Sequence, residues 1–404
     1  MNLTAEKIKQ ISIADYTYEL PDEKIAKYPL DLRDQSKLLV YENSTITEQT
    51  FSDLHTQLNP GSLLVFNNTK VIRARLFFKK ETGAAIEIFC LEPALPADYE
   101  RAFKQTKQCE WFCIVGNLKR WKNEKLRLSV TTEQYQVNLY AEKLELSDDS
   151  VRIRFTWHEP IGFGELLEAA GNIPIPPYLN RAPEASDLQR YQTVYSKTEG
   201  SVAAPTAGLH FTTQVFESLR DNGFKTAELT LHVGAGTFKP VKSETIANHT
   251  MHTEHYFISK NLLQAVLTHF PNIAAVGTTT VRTLESMYWA GVKVVTNLVK
   301  SDIDLEIKQW DVYELPQTIS FTDAYTALSL YLENKNQSVL PSSTQIIIAP
   351  GYQFRVINQL ITNFHQPQST LLLLIAAFIG SDWRKIYDFA LENNVRFLSY
   401  GDSS

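Results

Sequence analysis

The chain has 404 residues, which is more than one hydrophobic core usually fills, so two domains are expected. Apolar residues make up 44% and charged residues 21%, a balance typical of a soluble globular protein. The net charge is −6, so the protein as a whole does not attract nucleic acid electrostatically, and such a partner needs a local basic surface.

Targeting and redox features indicate the cytoplasm. Residues 1–13 are polar and unlike a secretory signal, and the longest apolar run, 371–379, is too short to span a membrane. Cys90, Cys109 and Cys113 form no CxxC pair, and their spacing suits neither a zinc site nor a disulfide framework. We therefore expect a cytoplasmic protein without a membrane partner.

The first portion of the chain mixes short strands and helices. Residues 13–26 are predicted to form a short strand and then a helix that Pro21 opens, and 63–67 form an apolar strand. After that strand, Arg73 and Arg75 lie one residue apart and could bind an anion. The alternative is an ordinary turn with solvated arginines.

Between Leu76 and Trp157 the pattern changes to short strands separated by turn signals. The predicted strands are 84–91, 110–115, 125–130, 135–140 and 151–157, which indicates a small all-β barrel or sandwich. Within it, 119–127 carries five basic residues around a tryptophan. Lys119, Arg120 and Lys122 suit contact with an RNA backbone, with base stacking by the aromatic ring. A solvated hairpin is an equal alternative.

The stretch 201–240 brings histidines and small residues together. Its loop contains Thr206 and Gly208, and His210 precedes a helix that Thr212 or the next threonine caps. An apolar segment, 226–233, is predicted to be a strand. It places His232 beside a turn formed by Gly234, Gly236 and Thr237, where a ligand can meet side chains and backbone donors. Two structural histidines in tight turns are the alternative.

Further candidates follow along the chain. If 250–257 is extended, His252, Glu254 and Tyr256 share one face and form an acid/base pair or a structural salt bridge. Beyond it, a strand at 273–276 leads through Gly277 into a helix. Such a turn presents backbone N–H groups to an anion, assisted by Thr278, Thr279 and Arg282.

The last portion repeats this arrangement of a polar turn between a strand and a helix. Residues 345–349 are predicted to be a strand, and a further strand within 354–362 ends at Asn363 and His365, before a buried helix. The alternation of strands and helices in the first and last portions of the chain predicts an α/β fold.

Eight motifs in this chain resemble the S-adenosylmethionine:tRNA ribosyltransferase-isomerase family of queuosine biosynthesis. They are LLVFNNTKVIRARL (63–76), IPPYLNR (175–181), YQTVYSKTEGSVAAPTAGLHFT (191–212), LHVGAGTFKPV (231–241), MHTEHY (251–256), AVGTTTVRTLES (275–286), LITNFHQPQSTLLLLIAAFIG (360–380) and RFLSYGD (396–402). The chain departs from the family's FNDTRVIPARL at Asn68, Lys70 and Arg73, and 109–126 lacks the family's RPGK-like segment.

The resemblance implies a larger, barrel-like α/β domain, 1–75 and 158–404, interrupted by a smaller β-barrel insert, 76–157. It implies transfer and isomerisation of the ribosyl group of S-adenosylmethionine onto 7-aminomethyl-7-deazaguanine in the tRNA anticodon arm. The products are epoxyqueuosine, adenine and methionine. No metal is required, and we expect a monomer.

The matching motifs also imply the site residues. The expected catalytic residues are His210, His232, His252, Glu254 and His365, and the four histidines should converge on one pocket. The expected substrate-binding residues are Thr206, Gly208, Gly234, Gly236, Thr237, Thr278, Thr279, Arg282, Asn363 and Tyr400, and the expected RNA-binding residues are Arg73, Arg75, Lys119, Arg120 and Lys122.

Two other functions fit parts of the sequence. A metal-dependent hydrolase could use the same histidines, but the chain has no HExxH motif or similar fixed spacing. A tRNA-binding protein without catalytic activity is the second alternative, given the altered insert.

Overall fold

The computed structural model describes residues 4–404, except 81, 148–149, 235–240 and 242. The strands are β1 (Lys37–Glu42), β2 (Thr45–Thr50), β3 (Leu63–Asn67), β4 (Thr69–Val71), β5 (Arg75–Lys79), β6 (Ala85–Leu95), β7 (Gln108–Gly116), β8 (Leu126–Thr131), β9 (Gln136–Leu146), β10 (Val151–Thr156), β11 (Thr198–Ser201), β12 (Lys225–Leu229), β13 (Leu231–His232), β14 (Glu254–Ser259), β15 (Ile273–Val276), β16 (Val339–Thr344) and β17 (Gln359–Ile361).

The α-helices are mostly short, and a single long one crosses the core. They are α1 (Ala5–Lys9), α2 (Tyr99–Phe103), α3 (Phe163–Ala170), α4 (Asp187–Arg190), α5 (Thr213–Asp221), α6 (Lys260–His269), α7 (Thr278–Val295), α8 (Asp311–Glu314), α9 (Phe321–Asn334), α10 (Thr370–Ile379) and α11 (Trp383–Glu392).

The middle of the chain forms a closed antiparallel barrel with the strand order β10-β7-β6-β5-β8-β9. In β10 the apolar residues Val151, Ile153 and Phe155 are buried and alternate with arginines, the period expected of a strand with one face on a core. Two of those outward arginines, Arg152 and Arg154, bind the buried carboxylate of Glu110 on β7. The predicted α/β fold class with an all-β barrel insert is confirmed.

A four-stranded parallel sheet with the order β12-β3-β15-β17 forms the centre of the larger part. All residues of β3 and β15 are buried, because both faces of the sheet are covered. Leu64 and Phe66 pack in a cluster with Val215 and Leu219 of α5, whereas Leu63 and Ala275 belong to the main core with α6, α7 and α9.

The parallel strands fix where a site can form. Their carboxyl ends lie at one edge of the sheet, and β15 and β17 continue there into Gly277 and Thr362. Polar turns that follow neighbouring parallel strands meet at such an edge, which is where ligands bind in α/β sheets.

Three sequence predictions of local structure are wrong. Residues 13–26 form 3₁₀ turns, Ile13–Asp15 and Asp22–Lys24, because the tyrosines between them pack on α11 instead of pairing as a strand. The predicted strand 226–233 is broken, since β12 joins the parallel sheet and β13 pairs with β14. Residues 345–349 continue beyond β16 without strand pairing.

Candidate active site

The main cavity lies at the carboxyl edge of the parallel sheet and opens to solvent, with an empty volume of about 700 Å³. The lining residues come from the turns that follow β15, β17 and β11 and from the segment before the chain's last residues. They are Tyr178, Ala203, Ala204, Pro205, Thr206, Ala207, Val233, Gly277, Thr278, Thr279, Thr362, Asn363, Phe364, His365, Gln366, Ser369, Leu371, Leu398 and Ser399.

The start of α7 supplies the cavity with backbone donors. Gly277 caps the helix with φ of +87°, a conformation that favours glycine, and its N–H donates to the carbonyl of Ile361 at 2.8 Å. The N–H groups of Thr278 and Thr279 belong to the first turn, which has no intrahelical acceptor for them. The positive end of an 18-residue helix therefore faces the cavity.

His365 lines the same cavity and is held on several sides. Its Nε2 lies 2.9 Å from the hydroxyl of Thr362, and its backbone N–H donates to the hydroxyl of Tyr387 at 3.0 Å. The hydroxyl of Tyr18 donates to its carbonyl oxygen. Burial lowers the pKa of His365 to about 3, so the imidazole is neutral at pH 7 and retains a lone pair that can accept a proton.

His210 reaches the cavity only through Asn363. The hydroxyl of Thr206 donates to Oδ1 of Asn363 at 2.9 Å, so Nδ2 faces Nε2 of His210 at 3.1 Å. Nε2 is thereby the acceptor, and Nδ1 donates to the hydroxyl of Ser36 at 2.9 Å. Burial lowers the pKa of His210 to about 4, which keeps this neutral tautomer at pH 7.

His252 belongs to a different, buried ionic cluster. Its Nε2 lies 3.2 Å from Oε1 of Glu254, and Oε2 of that carboxylate accepts from Nη1 of Arg282. Burial opposes ionisation of Glu254, but the charges and hydrogen bonds of Arg282 and His252 together outweigh it and hold the carboxyl pKa below its ordinary value. Arg282 therefore faces a protein carboxylate. Arg282, His252 and Glu254 are all absent from the lining of the main cavity. Gly234 lies beside His252.

His232 lies in a third place, a cleft between α2 and β14. Its ring packs 4.4 Å from that of Tyr99, and Nδ1 is 3.4 Å from the hydroxyl of Thr69. Burial, assisted by the charge of His255, lowers its pKa to about 4. The structure therefore does not bring all four histidines into one cavity, because they follow elements that end at different edges of the fold.

Four other predicted substrate-binding residues lie outside the lining of the main cavity or outside the described residues. Gly208 is required by packing, since a Cβ there would lie 1.8 Å from the hydroxyl of Tyr195. Tyr400 lines a second, smaller pocket, where its hydroxyl donates to Asp187 at 2.8 Å. Gly236 and Thr237 lie outside the described residues.

The predicted RNA-binding residues divide into two groups. Arg73 is paired with Glu168 at 2.7 Å and Arg75 with Glu87 at 3.2 Å, so their charges are compensated. A second group is exposed and has no salt bridge within the described part of the chain: Lys119, Arg120 and Lys122. Trp121 is 2% exposed in the barrel core, so the expected stacking of a base on its ring is wrong.

The model of the family described as queuosine biosynthesis protein matches residues 13–404. S-adenosylmethionine:tRNA ribosyltransferase-isomerase from Trichlorobacter lovleyi is 37% identical over 97% of this chain and 98% of that protein. The enzyme of the same name from a Sulfurihydrogenibium species is 37% identical over 97% of this chain and 99% of its own. The chain belongs to the queuosine biosynthesis protein family.

The predicted resemblance is thus confirmed over nearly the whole chain. A crystal structure of S-adenosylmethionine tRNA ribosyltransferase from Thermotoga maritima is 28% identical over 96% of this chain and 98% of that one. Its TM-score is 0.45, so the fold assignment above rests on this chain's own elements.

Two residues that contact the candidate histidines were missed in the sequence, Thr362 and Ser36. Thr362 precedes His365 by three residues in the motif 360–380, and the spacing of a hydroxyl before a histidine was the available signal. Ser36 is far from His210 in sequence, so nothing local linked them.

No group of three or more histidine, cysteine or acidic residues in the described ranges is arranged to hold a metal ion. Among the same residues, every helix is too short or too polar to cross a membrane.

Because three histidines are buried, we expect the free energy of unfolding to decrease in acid. In the unfolded chain, His210, His232 and His365 bind protons below the ordinary histidine pKa of about 6.5. In the folded chain their pKa values are about 4, 4 and 3, so they stay neutral over most of that range. Stability is therefore complete above pH 6.5 and falls towards pH 4, by up to about 1.4 kcal/mol per pH unit for each histidine.

Urea denaturation of the wild type and His365→Gln at several pH values measures this effect. The variant is expected to lose less stability between pH 6.5 and 4.5, whereas replacement of the exposed His158 by Gln should leave the wild-type dependence unchanged. If the free energy of unfolding of His365→Gln fell with pH as steeply as that of the wild type, burial of a neutral imidazole at His365 would be contradicted.

Proposed function

We propose that this protein transfers and isomerises the ribosyl group of S-adenosylmethionine onto 7-aminomethyl-7-deazaguanine in tRNA. The products are epoxyqueuosine, adenine and methionine. The observation that carries this proposal is 37% identity to enzymes of that name over almost the full length of both chains. As parts of the same proposal, the protein binds the anticodon arm of the tRNA, is a monomer and acts in the cytoplasm.

The main cavity is proposed to hold S-adenosylmethionine. The free N–H groups at Thr278 and Thr279 suit the methionine carboxylate, and a helix N-terminus favours an anion by about 0.3–1 kcal/mol, more when partly buried. Arg282 is not needed for this role, because its Nη1 already binds Glu254. Apolar lining at Ala203 and Leu398 suits the adenosine part.

His365 is proposed to be the base. The sulfonium makes the neighbouring C5′–H acidic, and a neutral imidazole in the cavity can accept that proton. The carbanion at C5′ can expel the ring oxygen from C4′, and that oxygen in turn expels adenine from C1′, which leaves a C4′–C5′ double bond and an aldehyde at C1′. The aminomethyl nitrogen of the tRNA base can then add to C4′ and lose one of its protons. The carbanion re-formed at C5′ closes onto the aldehyde, and the resulting alkoxide displaces methionine to give the epoxide. The protonated ring can return its proton to the departing adenine. Thr362 fixes the ring orientation through the contact at Nε2.

The hydrogen-bonded residues behind the cavity, Ser36, His210 and Asn363, are proposed to orient the substrate. His210 and Ser36 hold the amide of Asn363, which together with Thr206 faces the cavity. These groups can bind ribose hydroxyls without taking part in proton transfer. His252 and Glu254 are proposed as a second proton-transfer pair, and His232 as a group beside the tRNA in the cleft near Tyr99.

Mass spectrometry of tRNA that carries the precursor base tests the proposal. After incubation with S-adenosylmethionine, the wild type is expected to yield epoxyqueuosine with equal amounts of adenine and methionine. His365→Gln should lower the rate at least about 100-fold, the usual contribution of general base catalysis. His158→Gln is the matched control and should retain wild-type activity. Absence of the modified base with the wild type, despite tRNA binding, would identify a binding protein instead.

The exposed basic residues of the barrel predict a second result. Reversal of Lys119, Arg120 and Lys122 to Glu should weaken tRNA binding and lower the slope of log affinity against log salt by about 2–3. A control variant reverses three exposed basic residues elsewhere: Arg220, Lys225 and Lys300. Equal affinities of the two variants would assign 119–127 to a plain solvated hairpin.

A further inference from the structure

A small second pocket adjoins the main cavity and contains three arginines. Arg33, Arg190 and Arg396 line it together with Tyr400, and its empty volume is about 280 Å³. Ser399 lines both this pocket and the main cavity.

Two of these guanidinium groups have only neutral partners. Nη1 of Arg33 donates to the carbonyl of Gln192 at 3.0 Å. Arg190 donates through Nη1 to the carbonyl of Asp31 at 3.1 Å and through Nη2 to that of Leu30. Neither has a carboxylate within salt-bridge distance in the described ranges, 4–404 without the gaps named above. Burial and the charge of Arg190 lower the pKa of Arg33, as expected for like charges held together.

The carboxylates around the pocket are already engaged. Asp402 accepts from Arg396 at 3.0 Å and so compensates the third arginine. Asp187 forms two hydrogen bonds of 2.7 Å with Arg181. Asp34 accepts from the hydroxyl of Thr212 at 2.8 Å. Arg33 and Arg190 therefore have no salt-bridge partner among the described residues.

We propose that Arg33 and Arg190, beside the Asp402-paired Arg396, bind an oxyanion, the phosphodiester of a tRNA nucleotide next to the main cavity. Planar guanidinium forks suit phosphate oxygens, and unpaired arginines brought close together become stable when an anion lies between them. This inference rests on the proposed function, since tRNA supplies the phosphate.

Equilibrium binding of tRNA over a range of salt concentrations, without S-adenosylmethionine, tests the site. Arg190→Gln and Arg33→Gln are each expected to weaken binding about fivefold to tenfold and to lower the salt slope by about one. Arg220→Gln removes the same charge from an exposed position on α5 and is the matched control, with wild-type affinity expected. Thermal unfolding verifies that each variant is folded.

Steady-state kinetics separates the two sources of an oxyanion. If tRNA affinity and salt slope stay at the wild-type values while the KM for S-adenosylmethionine rises, the pocket binds the methionine carboxylate and the phosphodiester assignment is overturned. Unchanged values of all three quantities overturn the site altogether. A wild type that binds tRNA in this salt-dependent manner but forms no modified base contradicts the proposed function and leaves the phosphate site supported.

Discussion

One hydrogen bond at the sheet edge organises the candidate active site. The N–H of Gly277 donates to the carbonyl of Ile361, so the start of α7 lies directly against the end of β17. This contact joins the positive end of the helix to the turn that carries Asn363 and His365. Since parallel pairing of β15 and β17 fixes both turns, the donor groups and the histidine share one cavity.

The turn after β17 is held from a second side. Thr362 exchanges backbone hydrogen bonds of 2.7 Å with Ser404, and the hydroxyl of Ser403 donates to the carbonyl of Thr362 at 3.0 Å. The segment that contains Ser399 and Tyr400 therefore supports the main cavity and also lines the arginine pocket.

Burial decides the charge state of the histidines. Removal of an imidazole from water disfavours the cation, and the hydroxyl beside His365 does not offset that cost as a carboxylate would. Glu254 shows the opposite balance, because Arg282 and His252 together outweigh burial and lower the carboxyl pKa. The cavity thus contains a neutral imidazole, whereas the cluster of Glu254 and Arg282 is ionic.

Local patterns allowed much of the fold to be predicted. The alternating strands of the insert and the Gly-Thr turn at 277–280 depend on neighbours in sequence, and both were identified. Partners distant in sequence could not be predicted. Arg282 of α7 was predicted to bind a ligand, but its salt bridge with Glu254 of β14 was not foreseen. The arginine pocket was missed for the same reason, since Arg33 and Arg190 meet only in the folded chain.

The central claim is that a neutral His365 removes the C5′ proton of S-adenosylmethionine. Release of label from S-adenosylmethionine deuterated at C5′, measured in a single turnover with precursor tRNA, tests it most directly. The account predicts prompt release with the wild type and release slower by about 100-fold or more with His365→Gln, while both substrates still bind. Release at the wild-type rate by His365→Gln would show that another group is the base.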